Sequence, residues 1–429
     1  MTRPHAVLAI CCSSVAVVVL DIAAVNVALP SIRRDLHASV AGLQWTVDAY
    51  VLVLAGFLVL AGSTADRWGR RRVFQLGLVT FGLGSLLCGL APGIGWLIAA
   101  RVVQAVGGTM LNPVAAAIVA TAFPDPAARA RALGVFSATT GFAQALGPVA
   151  GGALIGGFGW HAVFWVNVPI TAVAMLCAAR YVPESRAART RRFDPVGQLL
   201  IALLLLGTVA ALIEGWAFPA VVAGLALAGL LAYEPRRADP LLDPYLFRRP
   251  PFRAAMLISL CGMCGFGAFL FVTTRYLQTV RGMSPVAAGV ALIPVGLGVA
   301  LASPLAGRLV AARGARLPLA ISGAALAAGG LMSMGRGPGS ALPVVLISFL
   351  MFGISLGMLI APITATALSG MPPSMAALAT SLPSAARQTG TALGVALAGN
   401  PATVWWLTCA LGTAILLFSP SVDDRRLVR

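Results

Sequence analysis

Apolar runs recur from Ala6 to Phe418 with only short polar breaks between them, and each is near the roughly 20 residues that cross a bilayer core. Glycine and proline breaks and arginine clusters mark their ends. They predict helices over 6–29, 45–65, 73–91, 96–119, 133–156 and 162–182, a closer pair over 195–213 and 217–233, and then 253–275, 286–306, 317–334, 341–362, 377–398 and 401–419. The pattern predicts an all-α polytopic membrane protein with about fourteen transmembrane helices. Residues 1–185 form an N-terminal six-helix bundle, 186–240 an inserted helix pair, and 241–429 a C-terminal six-helix bundle. Internal duplication of this kind builds many secondary transporters.

Composition sharpens the picture. Hydrophobic residues make up 59% of the chain and charged residues 10%, against roughly 25% charged in a soluble domain. The surplus apolar surface needs lipid, and no room remains for a second, aqueous domain. The first apolar stretch, from Ala6 to about Leu29, exceeds the usual signal-peptide core of about 7–15 residues, so it is expected to be retained as the first helix.

The net charge of +17 does not point to nucleic acid, because the basic residues sit in short loops and not along one folded face. All thirty basic residues are arginine. With no lysine, the chain lacks a Walker A phosphate loop, so ATP hydrolysis by that route is excluded. Seven cysteines lie in apolar segments, where a thiol behaves as a small hydrophobe, and His5, His37 and His161 are scattered. Neither set suggests a metal site, and an enzyme is not expected.

Arginines also set the topology. With the N-terminus in the cytoplasm, most fall in inner segments, among them Arg67, Arg70, Arg71, Arg72, Arg129, Arg131, Arg180, Arg186, Arg189, Arg191, Arg192, Arg308, Arg313 and Arg316. Arg33, Arg34, Arg275, Arg281 and Arg336 fall outside. This asymmetry follows the positive-inside rule and predicts both termini in the cytoplasm.

Polar residues within or beside the apolar runs carry the chemistry. An ionised carboxylate in a membrane is costly and marks an ion or proton path; Asp21 and Asp48 qualify. Arg101, also intramembrane, needs a partner. Asp21 either pairs with Arg101 or takes up a proton from outside, and Asp48 is the rival carrier, unless it merely complements a helix N-terminus. After the second helix, Gly62 and Gly69 permit close backbone approach, while Asp66 can pair with arginines among Arg67 and Arg70–Arg72. In the fifth helix Gly147/Gly151 and Gly152/Gly156 are small residues four apart, which permits tight helix contact, and Pro148 frees a backbone carbonyl.

The segment from Gly62 through Asp66, Arg67, Gly69 and Arg70 to Arg72 resembles the signature loop of the major facilitator superfamily. Three further segments resemble its fourteen-helix drug:proton antiporter branch, which includes methylenomycin A resistance and quaternary-ammonium efflux proteins. These are Leu20–Pro30 with Asp21 and Asn26, the run of Arg101, Gln104, Gly107 and Gly108, and the glycine-rich Gly134–Gly156 with Gly141, Gly147, Pro148, Gly151 and Gly152. Arg387-Gln388-Thr389-Gly390 resembles a late-helix pattern of the same family.

The resemblance implies the major facilitator fold and a proton-coupled exporter of small drug-like or antibiotic molecules, working by alternating access in the bacterial cytoplasmic membrane. It implies a gating role for the loop, proton coupling through Asp21, Asp48 and Arg101, and an antiporter motif in the fifth helix. No cofactor is expected beyond the proton gradient, and the partners are a small-molecule substrate, protons and the lipid bilayer, with a monomer as the family pattern. A facilitator or importer of a metabolite is the alternative. A membrane-embedded enzyme or scaffold is less favoured still. Asn26, Gln104, Phe142, Gln144, Arg387 and Gln388 are candidates to line the cavity. No Asp or Glu lies between Asp243 and Asp423, unlike relatives that export multivalent cations with acids in the second bundle, so a neutral, zwitterionic or weakly anionic substrate is expected.

Overall fold

The computed structural model describes residues 4–186, 194–237, 246, 248–369 and 376–422. Arginines 189, 191 and 192, the tail arginines 425, 426 and 429, and the predicted junction between 240 and 241 lie outside those residues.

Sixteen α-helices occur among the described residues, joined by short 3₁₀ and π turns. In chain order they are α1 (Pro4–Asp35), α2 (Val40–Trp68), α3 (Arg70–Gly89), α4 (Ile94–Ala122), α5 (Pro126–Phe158), α6 (Ala162–Trp165), α7 (Asn167–Tyr181), α8 (Pro195–Glu214) and α9 (Ala217–Tyr233). They continue as α10 (Pro250–Arg275), α11 (Pro285–Ala291), α12 (Ile293–Arg313), α13 (Arg316–Leu331), α14 (Leu342–Leu368), α15 (Ala376–Leu397) and α16 (Pro401–Phe418).

The helix ends follow local chemistry. Ser39 Oγ accepts from Gly42 N at 3.1 Å and caps α2. Asp125 caps α5, accepting from Ala128 N at 2.7 Å, with Pro126 at the first helical position, where a missing N–H costs nothing. Prolines also explain where predicted single helices divide. The segment 162–182 breaks at Val166, where Pro169 leaves the Trp165 carbonyl without its helical donor. The segment 286–306 breaks at Leu292, where Pro294 does the same to Val290. Helix α5 bends by 45° between 131–144 and 146–158, next to the Gln144 carbonyl that Pro148 cannot satisfy.

Eleven spans are long and apolar enough to cross a membrane, and the bent α5 makes up to twelve, among the described residues. All fourteen predicted segments are helical, but fourteen exceeds that number. Helix α13 has only sixteen residues, short of the bilayer core, and α15 carries Thr380, Ser384, Arg387, Gln388 and Thr389 along its length.

Two compact units emerge. The first comprises Met1–Ala202 and Ser284–Val290, the second Leu203–Met283 and Ala291–Arg429. In the first, small residues bring α3 and α4 together: a Cβ on Gly77 would sit 2.8 Å from the Met110 Cβ, and one on Gly107 would strike the Phe81 backbone. Helix α8 docks on α2, where the Gln198 side-chain amide donates to the Gly56 carbonyl. In the second unit Gly390 of α15 lies against the Leu260 carbonyl of α10, and Phe269 stacks on Phe352 at 3.8 Å. Lipid tails supply no hydrophobic drive between helices, so close packing of this kind must hold a bundle together.

Candidate functional site

The first unit encloses a buried polar network. Arg101 of α4 donates through Nη1 to Asp21 Oδ2 of α1 at 2.5 Å and to Gln104 Oε1 at 2.6 Å, and through Nε to the Thr46 carbonyl of α2 at 3.2 Å. Gln104 Nε2 donates to Asp21 Oδ1 at 2.9 Å and to Ser85 Oγ of α3 at 2.8 Å. Asn167, the first residue of α7, donates to Asp21 Oδ1 at 2.9 Å. The guanidinium lies 4.0 Å from the centre of the Tyr50 ring, on which it forms a cation–π contact.

Five helices, α1, α2, α3, α4 and α7, thus share one network, and the Asp21 carboxylate at its centre takes its partners from α4 and α7. The Asp21 and Arg101 side chains are 0% and 1% exposed, and their charges compensate in full. A buried charge pair is tolerated only with such additional hydrogen bonds. Gln104, expected to line a cavity, is fully buried within this network.

Asp48 contrasts sharply. It is buried on α2 within two residues of Thr46 and Tyr50, yet neither carboxyl oxygen has a hydrogen-bond partner. The Tyr50 hydroxyl is likewise unpartnered. An Asp without N–H donors or a cation at 0% exposure is not acting as a helix cap. Asn26 Nδ2 donates to the Ile22 carbonyl at 2.8 Å, while its Oδ1 is buried without a donor.

The loop after α2 docks within its own unit. Asp66 pairs with Arg70 at 3.0 Å, one turn away. Gly69 adopts φ 112°, and a Cβ there would collide with the Glu184 carboxyl at 2.5 Å. Glu184 Oε1 accepts from Arg71 N at 3.1 Å, Arg70 N donates to the Ser185 carbonyl at 2.9 Å, and Arg72 lies 3.8 Å from Glu184 Oε2. Gly62, by contrast, faces open space. A pocket of about 390 Å³ beside the loop is lined by Arg67, Trp68, Arg72, Val73, Leu76 and Arg186. It stands apart from the buried network.

Helix α5 uses its small residues on two neighbours. Gly147 and Gly151 face Ala23 and Ala24 of α1, and a Cβ on Gly151 would lie 2.8 Å from the Ala24 Cα. Gly152 faces α11, where a Cβ would be 2.5 Å from the Pro285 carbonyl oxygen, and the Pro148 carbonyl packs on Gly289. Gly141 and Gly157 have nothing within 4 Å. Gly152→Leu is therefore expected to destabilise the purified protein by about 1–3 kcal/mol through overpacking, read as a lower unfolding temperature, whereas Gly157→Leu leaves it unchanged.

Among the remaining candidates, Phe142 is 65% exposed on α5 and Gln144 half-buried. In the second unit Arg387 is half-buried, with Nη2 donating to Ser384 Oγ at 2.7 Å, and Gln388 is half-buried beside it. Sequence reasoning missed Ser85, Asn167 and Glu184, and gave Thr46 and Tyr50, in the run that carries Asp48, no role of their own. Uncharged polar residues in apolar helices are common enough that only three-dimensional placement singles them out, although the lone Glu184 beside an arginine-rich segment was a usable signal.

A family model described as the Major Facilitator Superfamily matches residues 11–395. The multidrug resistance protein Stp of Mycobacterium tuberculosis is 35% identical over 395 residues, covering 90% of this chain and 73% of Stp. The puromycin resistance protein pur8 of Streptomyces alboniger is 37% identical, covering 90% and 79%. The tetracenomycin C resistance and export protein of Streptomyces glaucescens is 33% identical, covering 92% and 76%. Among solved structures the POT family transporter PepTSo superposes with a TM-score of 0.71 at 15% identity, covering 98% of this chain and 97% of that one, which shows a shared fold.

Proposed function

Because this chain belongs to the major facilitator superfamily, we propose that it is a proton-coupled exporter of small drug-like or antibiotic molecules in the bacterial cytoplasmic membrane, with both termini cytoplasmic. The relatives named for drug resistance or export support that direction of transport. The chain comprises an N-terminal bundle, an inserted pair formed by α8 and α9, and a C-terminal bundle, fourteen helical segments in all, and works as a monomer by alternating access.

One observation carries the proton coupling: Asp48 is fully buried with both oxygens unpartnered, while Asp21 is consumed by Arg101, Gln104 and Asn167. An ionised carboxylate without a counter-ion in an apolar interior is far costlier than the neutral acid. Asp48 therefore holds the coupling proton, and the Asp21–Arg101 network is the charged element whose rearrangement releases it. The α5 glycine face against α1 and α11 and the docked loop at Asp66–Arg72 act as hinges and gates. Energy comes from the proton gradient, with no cofactor. Since no acid lies between Asp243 and Asp423, the substrate is neutral, zwitterionic or weakly anionic.

The test is uptake of puromycin and fluorescent dyes into energised inverted vesicles. A protonophore is expected to reduce accumulation to the passive level. Export that persists with the proton gradient collapsed would overturn proton coupling, and net movement of substrate out of the inverted vesicles would favour an importer.

A further inference from the structure

In the second unit two arginines converge on one loop. Arg281 follows the π turn Tyr276–Val280 that extends α10, and its Nη2 donates to the Ser340 carbonyl at 2.5 Å. Arg336 lies in the loop between α13 and α14, and its Nη2 donates to Ser348 Oγ of α14. Tyr276 and Ser340 tie the loop together: the Tyr276 hydroxyl donates to the Gly337 carbonyl at 3.0 Å, and Gly337 N donates to Ser340 Oγ at 3.0 Å.

Three further nitrogens of the two guanidinium groups are not satisfied. Arg336 Nε and Nη1 and Arg281 Nη1 are buried without hydrogen-bond partners. The Arg336 guanidinium sits among the rings of Trp405, Phe349 and Tyr276, with centroids at 5.1, 5.3 and 5.9 Å. These faces disperse charge but provide no acceptor oxygen. Burial pushes Arg336 down to about 10; the nearby Tyr276 opposes this and the positive charge of Arg281 adds to it.

No carboxylate can answer the two charges from nearby sequence, because the stretch from Asp243 to Asp423 contains none. Two like charges, partly desolvated and with idle donors, are costly unless an anion bridges them. The guanidinium fork matches the oxygen spacing of phosphate, and the aromatic wall suits the apolar part of an amphiphile.

We propose that Arg281 and Arg336 form a binding site for a phosphate group, with Trp405, Phe349 and Tyr276 as its apolar wall. The phosphate comes either from the headgroup of an anionic phospholipid or from the free anion. The site is independent of proton coupling, and its test needs no transport.

The full chain is purified and its thermal unfolding followed in phosphatidylglycerol nanodiscs, in phosphatidylcholine nanodiscs, and in detergent with and without inorganic phosphate. Wild type is expected to unfold at higher temperature with phosphatidylglycerol, and native mass spectrometry is expected to retain a phosphatidylglycerol adduct. Arg336→Gln and Arg281→Gln are expected to weaken that retention by about tenfold, the loss of a charge-assisted hydrogen bond. Arg336→Lys keeps part of it, and Arg313→Gln, a control on α12, keeps all. Stabilisation by inorganic phosphate in detergent, lost in the same two variants, would assign the site to the free anion. Equal behaviour of wild type in all four media, or equal loss in Arg313→Gln, would overturn the site. If either glutamine variant fails to fold, adduct retention by wild type against Arg336→Lys decides alone.

Discussion

Arg101→Met is expected to be the most damaging single substitution in the first unit. It removes the cation that faces Asp21 at 2.5 Å and leaves a carboxylate buried with only the amides of Gln104 and Asn167 to solvate it. Breaking one side of a buried ion pair costs about 3 to 5 kcal/mol. The purified variant should unfold at markedly lower temperature and accumulate poorly in membranes. The double variant Arg101→Met with Asp21→Asn should recover much of that loss, because the orphaned charge is gone as well. Additive losses would show that the pair does not act as a compensating unit. Export should be absent in both, since the network is charged in the working protein.

Asp48→Asn has the opposite signature. The side chain is the same size and neutral, and it replaces an acid that already lacks partners, so the fold should survive with little change in unfolding temperature. Gradient-driven export should fall to the passive level, and substrate addition should no longer move protons across the vesicle membrane. Substrate exchange between loaded vesicles without a gradient should persist, because binding does not require the titrating group. Normal gradient-driven export by Asp48→Asn would move the proton to Asp21, where Asp21→Asn becomes the informative variant.

The contrast between these two acids is not contained in the linear chain. In sequence Asp21 and Asp48 are similar: each is a lone acid in or beside an apolar run, with an arginine eighty residues or fewer downstream. Which acid meets Arg101 depends on the rotation of α1, α2 and α4 about their axes. Side chains three or four apart share a face, so Arg101 and Gln104 act together, while Thr46 offers its backbone carbonyl and Asp48 receives nothing. The loop after α2 tells a similar story. Its arginines and Asp66 are legible as a charged cluster, but Glu184, more than a hundred residues away, is the acid that seats Gly69 and Arg71.

The sequence by itself determined the all-helical membrane architecture, because apolar runs of bilayer length between arginine-rich breaks admit few alternatives once every backbone polar group must be satisfied within lipid. It also determined the absence of lysine and the acid-free stretch between Asp243 and Asp423, which no folding can change. Tertiary structure decided how many helices are long enough to span, where prolines break them, and which of two equivalent carboxylates is neutralised by Arg101 and which stands alone. It decided, too, that Arg281 and Arg336 meet at one loop. Length and hydropathy are local properties summed along the chain, whereas the pairing of charges depends on helix rotation and close packing, which glycine contacts between distant segments set.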